Sequence, residues 1–182
     1  MDKKSETITD EELVVLSRTT DPEAYGYIIR RYQPKLTHYL RKFLRSQDEL
    51  EDVLQDVFIK IYQNLNGFNV HNKFSPWAYR IAHNEAINHL KKYSKEFFSL
   101  DDRELEIIDR SLDVKEQTDL ILMKTKVENA LKKLSEKYRA PLILYFFEQK
   151  SYEEISEILR VPRNTAGTLI ARGKNKLKEY LA

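Results

Sequence analysis

Apolar residues recur at intervals of one, three and four over residues 48–68, and this pattern limits the fold more than any other feature of the chain. The stretch is DELEDVLQDVFIKIYQNLNGF, with apolar side chains at Leu50, Val53, Leu54, Val57, Phe58, Ile61 and Leu65. Side chains at these spacings share one face of an α-helix. Asp48 is placed to cap the helix and Gly67 to end it. The pattern predicts a helix with one buried face.

The rest of the chain also predicts helices. Residues 9–12 and 151–154 have the form of capping boxes, and an Asp-Pro pair at 21–22 and a Ser-Pro pair at 75–76 place a cap before a proline suited to a first helical turn. The stretch LILYFF, residues 142–147, could form a strand by itself, but helical patterns flank it on both sides. The sequence therefore predicts an all-α fold.

Charge is distributed unevenly and marks a boundary between two parts of the chain. Residues 96–119 hold nine acids against three Lys or Arg, and residues 160–182 hold six Lys or Arg against one acid. Helical periodicity also weakens in the acidic segment, which is typical of a linker. We therefore predict two small helical domains, residues 1–96 and 120–182, joined by a flexible acidic linker over 97–119.

Composition excludes several classes of protein. The chain has no cysteine, so it has no disulfides and no thiolate metal site, and its four glycines do not form a phosphate-binding loop. Its N-terminal residues lack the apolar region of a signal peptide, and no apolar run is long enough to span a membrane. These features predict a cytoplasmic protein without membrane insertion, and we expect no cofactor and no metal.

Residues 151–181 have the pattern of a helix-turn-helix. A capped helix and a short turn precede a second helix, whose apolar face holds Ala166, Leu169, Ile170, Gly173, Leu177 and Leu181. The opposite side presents Thr165, Thr168, Arg172, Asn175, Lys176 and Lys178. In DNA-binding proteins of this kind the second helix enters the major groove, and Arg and Lys contact phosphates. A solvated, lysine-rich last helix would show the same residues, so this motif alone leaves both interpretations open.

The helix predicted over 48–68 has an acidic outer face. With the apolar stripe buried, four polar side chains fall together on the outside: Glu51, Asp52, Gln55 and Asp56. An acidic surface repels a phosphate backbone and suits a basic protein partner. A solvated face without a partner is the alternative interpretation of the same charges.

The segment 73–92, KFSPWAYRIAHNEAINHLKK, combines an indole, amides and cations. If a helix begins near Trp77, that residue, Ala78, Ile81 and Ala82 face inward, and Tyr79, Arg80 and His83 face outward. We also expect a break near Asn84, because an unbroken helix would turn Asn84 and Asn88 toward the side of Trp77. Aromatic faces, amides and cations are the groups that bind unstacked bases and phosphates. We assign Trp77 mainly to packing and the polar groups to nucleic-acid recognition.

Taken in order, these motifs resemble one family, the bacterial RNA polymerase sigma factors of the extracytoplasmic-function (ECF) type. DVLQDVFIKIYQNLNGF resembles their region 2.2, KFSPWAYRIAHNEAINHLKK their regions 2.3 and 2.4, and ALKKLSEKYRAPLILYFFEQKSYEEISEILRVPRNTAGTLIARGKNKLKEYL their region 4. The resemblance implies a region 2 domain and a region 4 helix-turn-helix domain. It implies a promoter-specificity subunit with no catalysis of its own.

The resemblance also implies partners and site residues. The acidic face, Glu51 with Asp52, Gln55 and Asp56, would bind the clamp helices of the largest polymerase subunit, and the flap of the second-largest subunit is a further contact. Minus-ten DNA would be bound by Arg80, Asn84, Asn88, Lys91 and Lys92, with Asn84 near a flipped base. Minus-thirty-five DNA would be bound by Arg163, Asn164, Thr165, Thr168, Arg172 and Lys174. Many members of this family are held inactive by an anti-sigma factor, so such a protein is a candidate partner.

The last helix departs from the family pattern. Relatives often have G-T-V-K-S-R where this chain has NTAGTL at 164–169, so Gly167 and Leu169 occupy positions that are commonly basic. Gly167 costs roughly 1 kcal/mol of helix propensity relative to alanine. The promoter sequence therefore cannot be transferred from relatives.

Two other classes of function remain as alternatives. A stand-alone helix-turn-helix regulator would bind duplex DNA without polymerase, usually as a dimer on palindromic half-sites. The acidic face and the separate N-terminal domain count against it. An enzyme would need a nucleophile with a base and an orienting group, or a metal-ligand set, and neither can be named from the spacing of these residues.

Overall fold

The protein is described by a computed structural model covering residues 8–98 and 119–181. Within these ranges it forms eight α-helices and two 3₁₀ turns, Pro22–Ala24 and Leu65–Gly67, and no strand. The helices are α1 Asp10–Thr19, α2 Tyr25–Leu40, α3 Gln47–Asn64, α4 Phe74–Phe98, α5 Asp119–Lys133, α6 Glu136–Phe146, α7 Tyr152–Leu159 and α8 Arg163–Leu181. The all-α prediction is confirmed, including the helix over LILYFF. Residues 99–118 of the predicted linker lie outside the described residues.

Local capping accounts for where several helices begin. Both capping boxes form: the side chains of Thr9 and Ser151 accept from amides three residues on, and the glutamates there accept from the cap amides. Asp48 is not the cap of α3. Ser46 takes that position in extended backbone, and its hydroxyl accepts from the amide of Glu49 at 3.1 Å. The helix therefore begins one residue before Asp48.

We expect Ser151→Ala to lower the free energy of unfolding of the second domain by about 1 kcal/mol, because the amide of Glu154 in the first turn of α7 loses the hydroxyl that accepts its hydrogen bond. The measurement is urea unfolding followed by circular dichroism. Ser135→Ala is the matched control, since Ser135 precedes α6 without a side-chain capping hydrogen bond. Equal losses in both variants would contradict the role of the capping box.

Pro34 lies inside α2 without interrupting it, although a proline in a helix interior usually kinks or breaks the helix. The helix runs unbroken from Tyr25 to Leu40. A proline inside a helix leaves the carbonyl four residues earlier, here that of Arg30, without its helical donor. Arg30 and Pro34 are both exposed, so water can satisfy that carbonyl.

The helices form two groups, α1–α4 and α5–α8, that pack against each other. The first is centred on Leu36, Val57, Ile61 and Phe74, and the second on Leu142, Ile143, Ile155 and Ile170, all fully buried or nearly so. The groups meet mainly where α4 packs against α7. Among the described residues, no helix has the length and apolar composition needed to cross a membrane.

Candidate nucleic-acid and polymerase interfaces

The first turn of α4 is held by α1, which is distant in sequence. The amide of Phe74 donates to a carboxylate oxygen of Glu11 at 2.7 Å. This carboxylate occupies the N-terminal end of α4, where the helix dipole favours negative charge. The helix consequently begins at Phe74 and not at Trp77 as predicted, and Pro76 lies inside the first turn, where a missing amide hydrogen costs nothing.

Arg18 of α1 also positions the loop between α3 and α4. Its guanidinium donates to the backbone carbonyls of Leu65 and Phe68. Phe68 then packs on Trp77, with ring centroids 5.0 Å apart, and Trp77 lies 5.5 Å from the ring of Phe74. Trp77 is half-buried in this aromatic cluster, which confirms its predicted packing role.

A small cavity opens beside this aromatic cluster. Its volume is about 190 Å³, and its lining is Gly67, Phe68, Asn69, Asn72, Lys73, Trp77, Arg80 and Glu157. We call it the loop pocket. It brings together two amides, an indole and two cations, the groups that can bind a base edge, a base face and a phosphate.

The predicted break near Asn84 is wrong, because α4 continues without interruption to Phe98. Asn84 and Asn88 are nevertheless exposed. The aromatic cover of Trp77 comes from Phe68 and Phe74 at the start of the helix, and it does not extend two turns further along the same face. Lys91 and Lys92 are exposed beyond them, and Arg80 is half-buried at the loop pocket.

Three pocket residues were missed by the sequence reasoning: Asn69, Asn72 and Lys73. All three are exposed in the loop before α4. The signal was present, since residues 69–73 form a polar run, NVHNK, between two helical patterns. Loops that carry binding groups on a rigid support are common in proteins.

The acidic face of α3 is exposed as predicted. Glu51, Asp52, Gln55 and Asp56 all lie on the surface, while Leu50, Val53, Val57 and Ile61 are buried. Asp52 and Asp56 form no ion pair among the described residues. Ile59 and Tyr62 extend the same surface with side chains that are 45% and 53% exposed. An unpaired acidic patch bordered by exposed apolar groups suits a basic protein surface with apolar contacts.

The helix-turn-helix is present as predicted. Arg160 ends α7 in the left-handed conformation at φ 54°, and the amide of Val161 donates to the carbonyl of Ser156 at 3.2 Å. All six residues assigned to the minus-thirty-five element are exposed: Arg163, Asn164, Thr165, Thr168, Arg172 and Lys174. Arg163 forms a surface ion pair with Glu153 at 2.6 Å, which is weak enough to exchange for a phosphate.

The inner face of α8 agrees with the prediction except at its end. Ala166, Leu169, Ile170 and Gly173 are buried. Leu177 is partly buried, but Leu181 is 43% exposed. Leu181 is the last residue of the helix. The apolar spacing continues as far as this residue, but the buried core does not.

Tyr79 and His83 were predicted to face outward from α4, and this is wrong. Tyr79 is 1% exposed and His83 is 8% exposed. Both are covered from two sides, by Tyr39 of α2 and by the second domain. The Tyr79 hydroxyl donates to Glu148 at 2.6 Å, and His83 Nε2 lies 3.3 Å from Glu136. The outward prediction assumed a helix with one buried face, whereas α4 has two.

Burial alters the pKa of several groups around α4. Burial raises the pKa of Tyr79, and its hydrogen bond to Glu148 raises it further. Burial lowers the pKa of Lys150, and burial together with the nearby guanidinium of Arg160 lowers that of Arg80, against the effect of Glu157. The hydrogen bond from His83 lowers the pKa of Glu136, with burial acting in the opposite direction. Tyr79 is therefore a neutral hydroxyl donor at any ordinary pH.

Comparison with protein families identifies the two groups of helices. Residues 28–96 match the family described as Sigma-70 region 2, and residues 124–177 match the one described as Sigma-70, region 4. Together they define the class, a sigma-70-type factor with regions 2 and 4. The first match contains α3 and the loop before α4, and the second contains the helix-turn-helix.

Two curated relatives span nearly the whole chain. This chain is 31% identical over 172 residues to the ECF RNA polymerase sigma factor SigW of Bacillus subtilis (strain 168). The match covers 88% of this chain and 90% of that protein. The chain is 29% identical over 180 residues to the RNA polymerase sigma-H factor of Pseudomonas aeruginosa, covering 94% and 93%. The chain belongs to the ECF family of RNA polymerase sigma factors.

A solved structure shares the fold. The sigma factor RpoE from Bartonella quintana, determined as a co-crystal with the anti-sigma factor NepR, is similar with a TM-score of 0.72 and 23% identity, over 87% of this chain and 97% of that one. As a member of its family, the present chain binds core RNA polymerase and directs transcription from specific promoters. These findings do not favour a stand-alone regulator.

Proposed function

We propose that three separate surfaces of this chain divide the work of promoter recognition. The observation that carries the proposal is the position of each surface: an unpaired acidic face on α3, a polar pocket at the start of α4, and an exposed basic side of α8. The side chains of the acidic face and of the outer side of α8 lie outside the buried core. The proposed domain boundaries are residues 1–96 for the first domain and 120–182 for the second, with 97–119 between them.

The acidic face is proposed to bind the clamp helices of the largest polymerase subunit, through Glu51, Asp52, Gln55 and Asp56. Exposure and the lack of ion pairs support this, because these charges are desolvated only when a basic partner arrives. The second domain is proposed to contact the flap of the second-largest subunit.

Minus-ten recognition is proposed for α4 and the loop before it, with Arg80, Asn84, Asn88, Lys91 and Lys92 as contacts. The loop pocket adds Asn69, Asn72 and Lys73 to this set. A base that leaves its stack costs a few kcal/mol, which amide hydrogen bonds and stacking on an aromatic face can offset. The loop pocket, with a volume of about 190 Å³, can admit a planar base beside Trp77. Binding there would favour the opened promoter over the duplex.

Minus-thirty-five recognition is proposed for the start and outer side of α8, with Arg163, Asn164, Thr165, Thr168, Arg172 and Lys174 as contacts. The first turns of the helix can reach base edges, and the later cations can contact phosphates. Thr168 donates its hydroxyl to the carbonyl of Asn164 at 2.9 Å, which fixes its side chain against the first turn of the helix.

The chain is proposed to act in the cytoplasm, where core polymerase and promoter DNA are found, without a cofactor and without catalysis of its own. Sigma factors are DNA-recognition subunits, and among the described residues no group of three or more His, Asp or Glu side chains could hold a metal ion. An anti-sigma factor is a proposed further partner, since the similar RpoE was solved with one.

The proposed function is tested by mixing the purified chain with bacterial core RNA polymerase. Co-elution in size-exclusion chromatography, followed by run-off transcription on a pool of genomic promoters, should give a discrete set of transcripts. Those transcripts define the promoter motif. Binding to duplex DNA with no binding to several core enzymes would support the stand-alone regulator instead.

Arg172→Ala should weaken binding to minus-thirty-five duplex DNA and reduce the slope of log affinity against log salt by about one, because one phosphate contact is lost. The measurement is a fluorescence-anisotropy titration at several salt concentrations. Arg45→Ala removes the same charge from an exposed position in the first domain and should leave the slope unchanged. An unaltered slope for Arg172→Ala would contradict the phosphate contact.

A further inference from the structure

A second concave site lies between the end of α2 and α5, away from the three surfaces of the proposed function. Its volume is about 340 Å³. Its polar lining consists of His38, Arg41 and Lys42 on one side and Lys124, Glu128 and Lys132 on the other. We call it the basic cleft. Among the described residues, none from α3, α4, α7 or α8 lines it, so it is distinct from the acidic face, the loop pocket and the helix-turn-helix.

Positive charge is concentrated in the basic cleft. Its lining contains four Lys or Arg side chains and one carboxylate, a formal charge of +3 with His38 neutral. The whole chain has a formal charge of only +2, so the excess in the cleft is not a sample of a generally basic surface. A concave surface lined by charges of one sign focuses the electric field and raises the local concentration of counter-ions.

The one carboxylate of the cleft is already paired. Glu128 accepts from the ammonium of Lys42 at 2.8 Å, and the same ammonium lies 4.9 Å from the centre of the Phe147 ring. The Lys42 side chain is only 14% exposed, and Leu131 beside it is buried. Lys42, Glu128 and Leu131 therefore form the base of the cleft, with the acid neutralised by its own lysine.

Three cations at the rim of the cleft have no such partner. Arg41, Lys124 and Lys132 are exposed and form no ion pair among the described residues. Like charges that line one cavity repel each other, and an anion bound between them removes this cost. The rim is therefore arranged to bind negative charge.

Helix dipoles explain two of these cations but not the third. Arg41 caps the C-terminal end of α2 and Lys132 lies in the last turn of α5, where the dipole favours positive charge. Lys124 lies in the second turn of α5, far from that end. It shares a face with Glu128 and Lys132 at intervals of four residues. The cleft, and not the helix end, is what the two lysines have in common.

The arrangement of the cations indicates which anion fits. The guanidinium of Arg41 can bind two oxygens of one phosphate, and the ammonium groups of Lys124 and Lys132 act as point charges for others. Three unpaired cations from two helices match a ligand that carries several charges close together. A volume of about 340 Å³ is at the lower end of the range for small-molecule sites, so the ligand must be compact.

We propose that the basic cleft binds a small polyanion with two or more linked phosphates, either an inorganic oligophosphate or a nucleoside polyphosphate. Arg41, Lys124 and Lys132 contact the phosphates, and Lys42 adds charge from the base of the cleft. A nucleic-acid strand fits less well, because its backbone follows an open stripe of cations and these cations surround a cavity. This inference goes beyond promoter recognition, which requires no such ligand.

The first experiment is a calorimetric titration of the full chain with sodium tripolyphosphate, at physiological salt and without divalent cations, which would mask the phosphate charge. We expect saturable binding of one tripolyphosphate per chain, weakened by added salt because the contacts are ionic. Lack of saturable binding would overturn the proposal.

Lys124→Gln with Lys132→Gln tests the position of the site. Both side chains are exposed and unpaired among the described residues, so the fold should survive, which circular dichroism checks. Affinity for tripolyphosphate should fall by on the order of tenfold or more, because two charged hydrogen-bond donors are lost. Lys126→Gln with Lys133→Gln is the matched control: the same helix loses the same charge at exposed positions outside the cleft. Equal losses in both pairs would show attraction by overall charge and overturn the site.

Two further ligands identify the source of the phosphates. A nucleoside triphosphate that binds more tightly than tripolyphosphate assigns the cleft to a nucleotide, and the reverse order assigns it to an inorganic oligophosphate. Both orders support the proposal when the Lys124/Lys132 variant weakens the binding and the Lys126/Lys133 variant does not. A single-stranded oligonucleotide is the third ligand. If the Lys124/Lys132 variant weakens only oligonucleotide binding, the cleft contacts nucleic acid and the proposal is wrong.

Discussion

A chain in which Asp52 and Asp56 are both replaced by lysine is expected to lose binding to core RNA polymerase by on the order of 100-fold, or roughly 3 kcal/mol. The two residues are neighbours on the acidic face of α3, one turn apart and exposed. Reversing them places like charges against a basic partner, which repels the partner during encounter and in the complex. The fold should survive, because neither side chain is paired or buried among the described residues.

The measurement is a fluorescence-anisotropy titration of labelled chain with core polymerase, with circular dichroism to show that the helices remain. Glu23→Lys with Glu179→Lys is the matched control, since it makes the same change in net charge at exposed positions outside the acidic face. The control should bind with near wild-type affinity. A folded Asp52/Asp56 variant that binds as tightly as the wild type would remove the acidic face from the polymerase interface.

Local signals in the sequence were sufficient to predict most of the helices. The capping boxes at Thr9 and Ser151 and the apolar stripe of α3 depend on residues within one or two turns of each other. The exposed sides of α3 and α8 follow from the same periodicity, because a residue opposite a buried stripe faces solvent. Those parts of the candidate sites were therefore predictable from the sequence.

The start of α4 was not predictable from local sequence. Its first amide is bound by Glu11, which is 63 positions earlier in the chain. The Ser-Pro pair at 75–76 predicted a later start because it has the form of a local cap. The carboxylate of Glu11 caps the helix instead, and this contact depends on the packing of α1 against the loop before α4.

The second buried side of α4 was unpredictable for a related reason. Periodicity reports how many faces of a helix are apolar, and Tyr79 and His83 are polar enough to suit either solvent or an interface. Their partners in the second domain are Glu148 and Glu136, and His83 Nδ1 also lies 3.0 Å from the hydroxyl of Tyr39 in α2. A polar interface between domains produces no hydrophobic pattern, so its residues resemble a solvated face until the structure is known.

Gly173→Val is expected to lower the free energy of unfolding of the second domain by about 3 kcal/mol. A Cβ added at Gly173 would lie 3.1 Å from two carbons of Leu142 and 3.2 Å from the carbonyl oxygen of Tyr138, both in α6. Leu142 is 1% exposed, so it can move only against other core side chains. The branched valine adds two further carbons with little rotamer freedom, so α8 must move away from α6.

Gly167, in the same helix, provides the matched control. A Cβ there would lie 3.6 Å from the ring of Tyr152, an ordinary contact. Gly167→Ala should therefore stabilise the domain by about 0.5–1 kcal/mol through helix propensity alone. The measurement is urea unfolding followed by circular dichroism, analysed for two domains, together with minus-thirty-five duplex binding at a temperature where each variant is folded.

The two glycines distinguish the effect of packing on stability from the effect of helix propensity. Both lie in α8, but only at Gly173 would an added Cβ be too close to α6. If Gly173 sets the distance between α8 and α6, Gly173→Val should also weaken duplex binding, since α8 carries the proposed contacts with the major groove. Gly167→Ala should not weaken it by the same route, because its Cβ needs no movement of α8. Equal stability of the valine variant and the wild type would contradict the close approach of α8 to α6 on which the position of the helix-turn-helix depends.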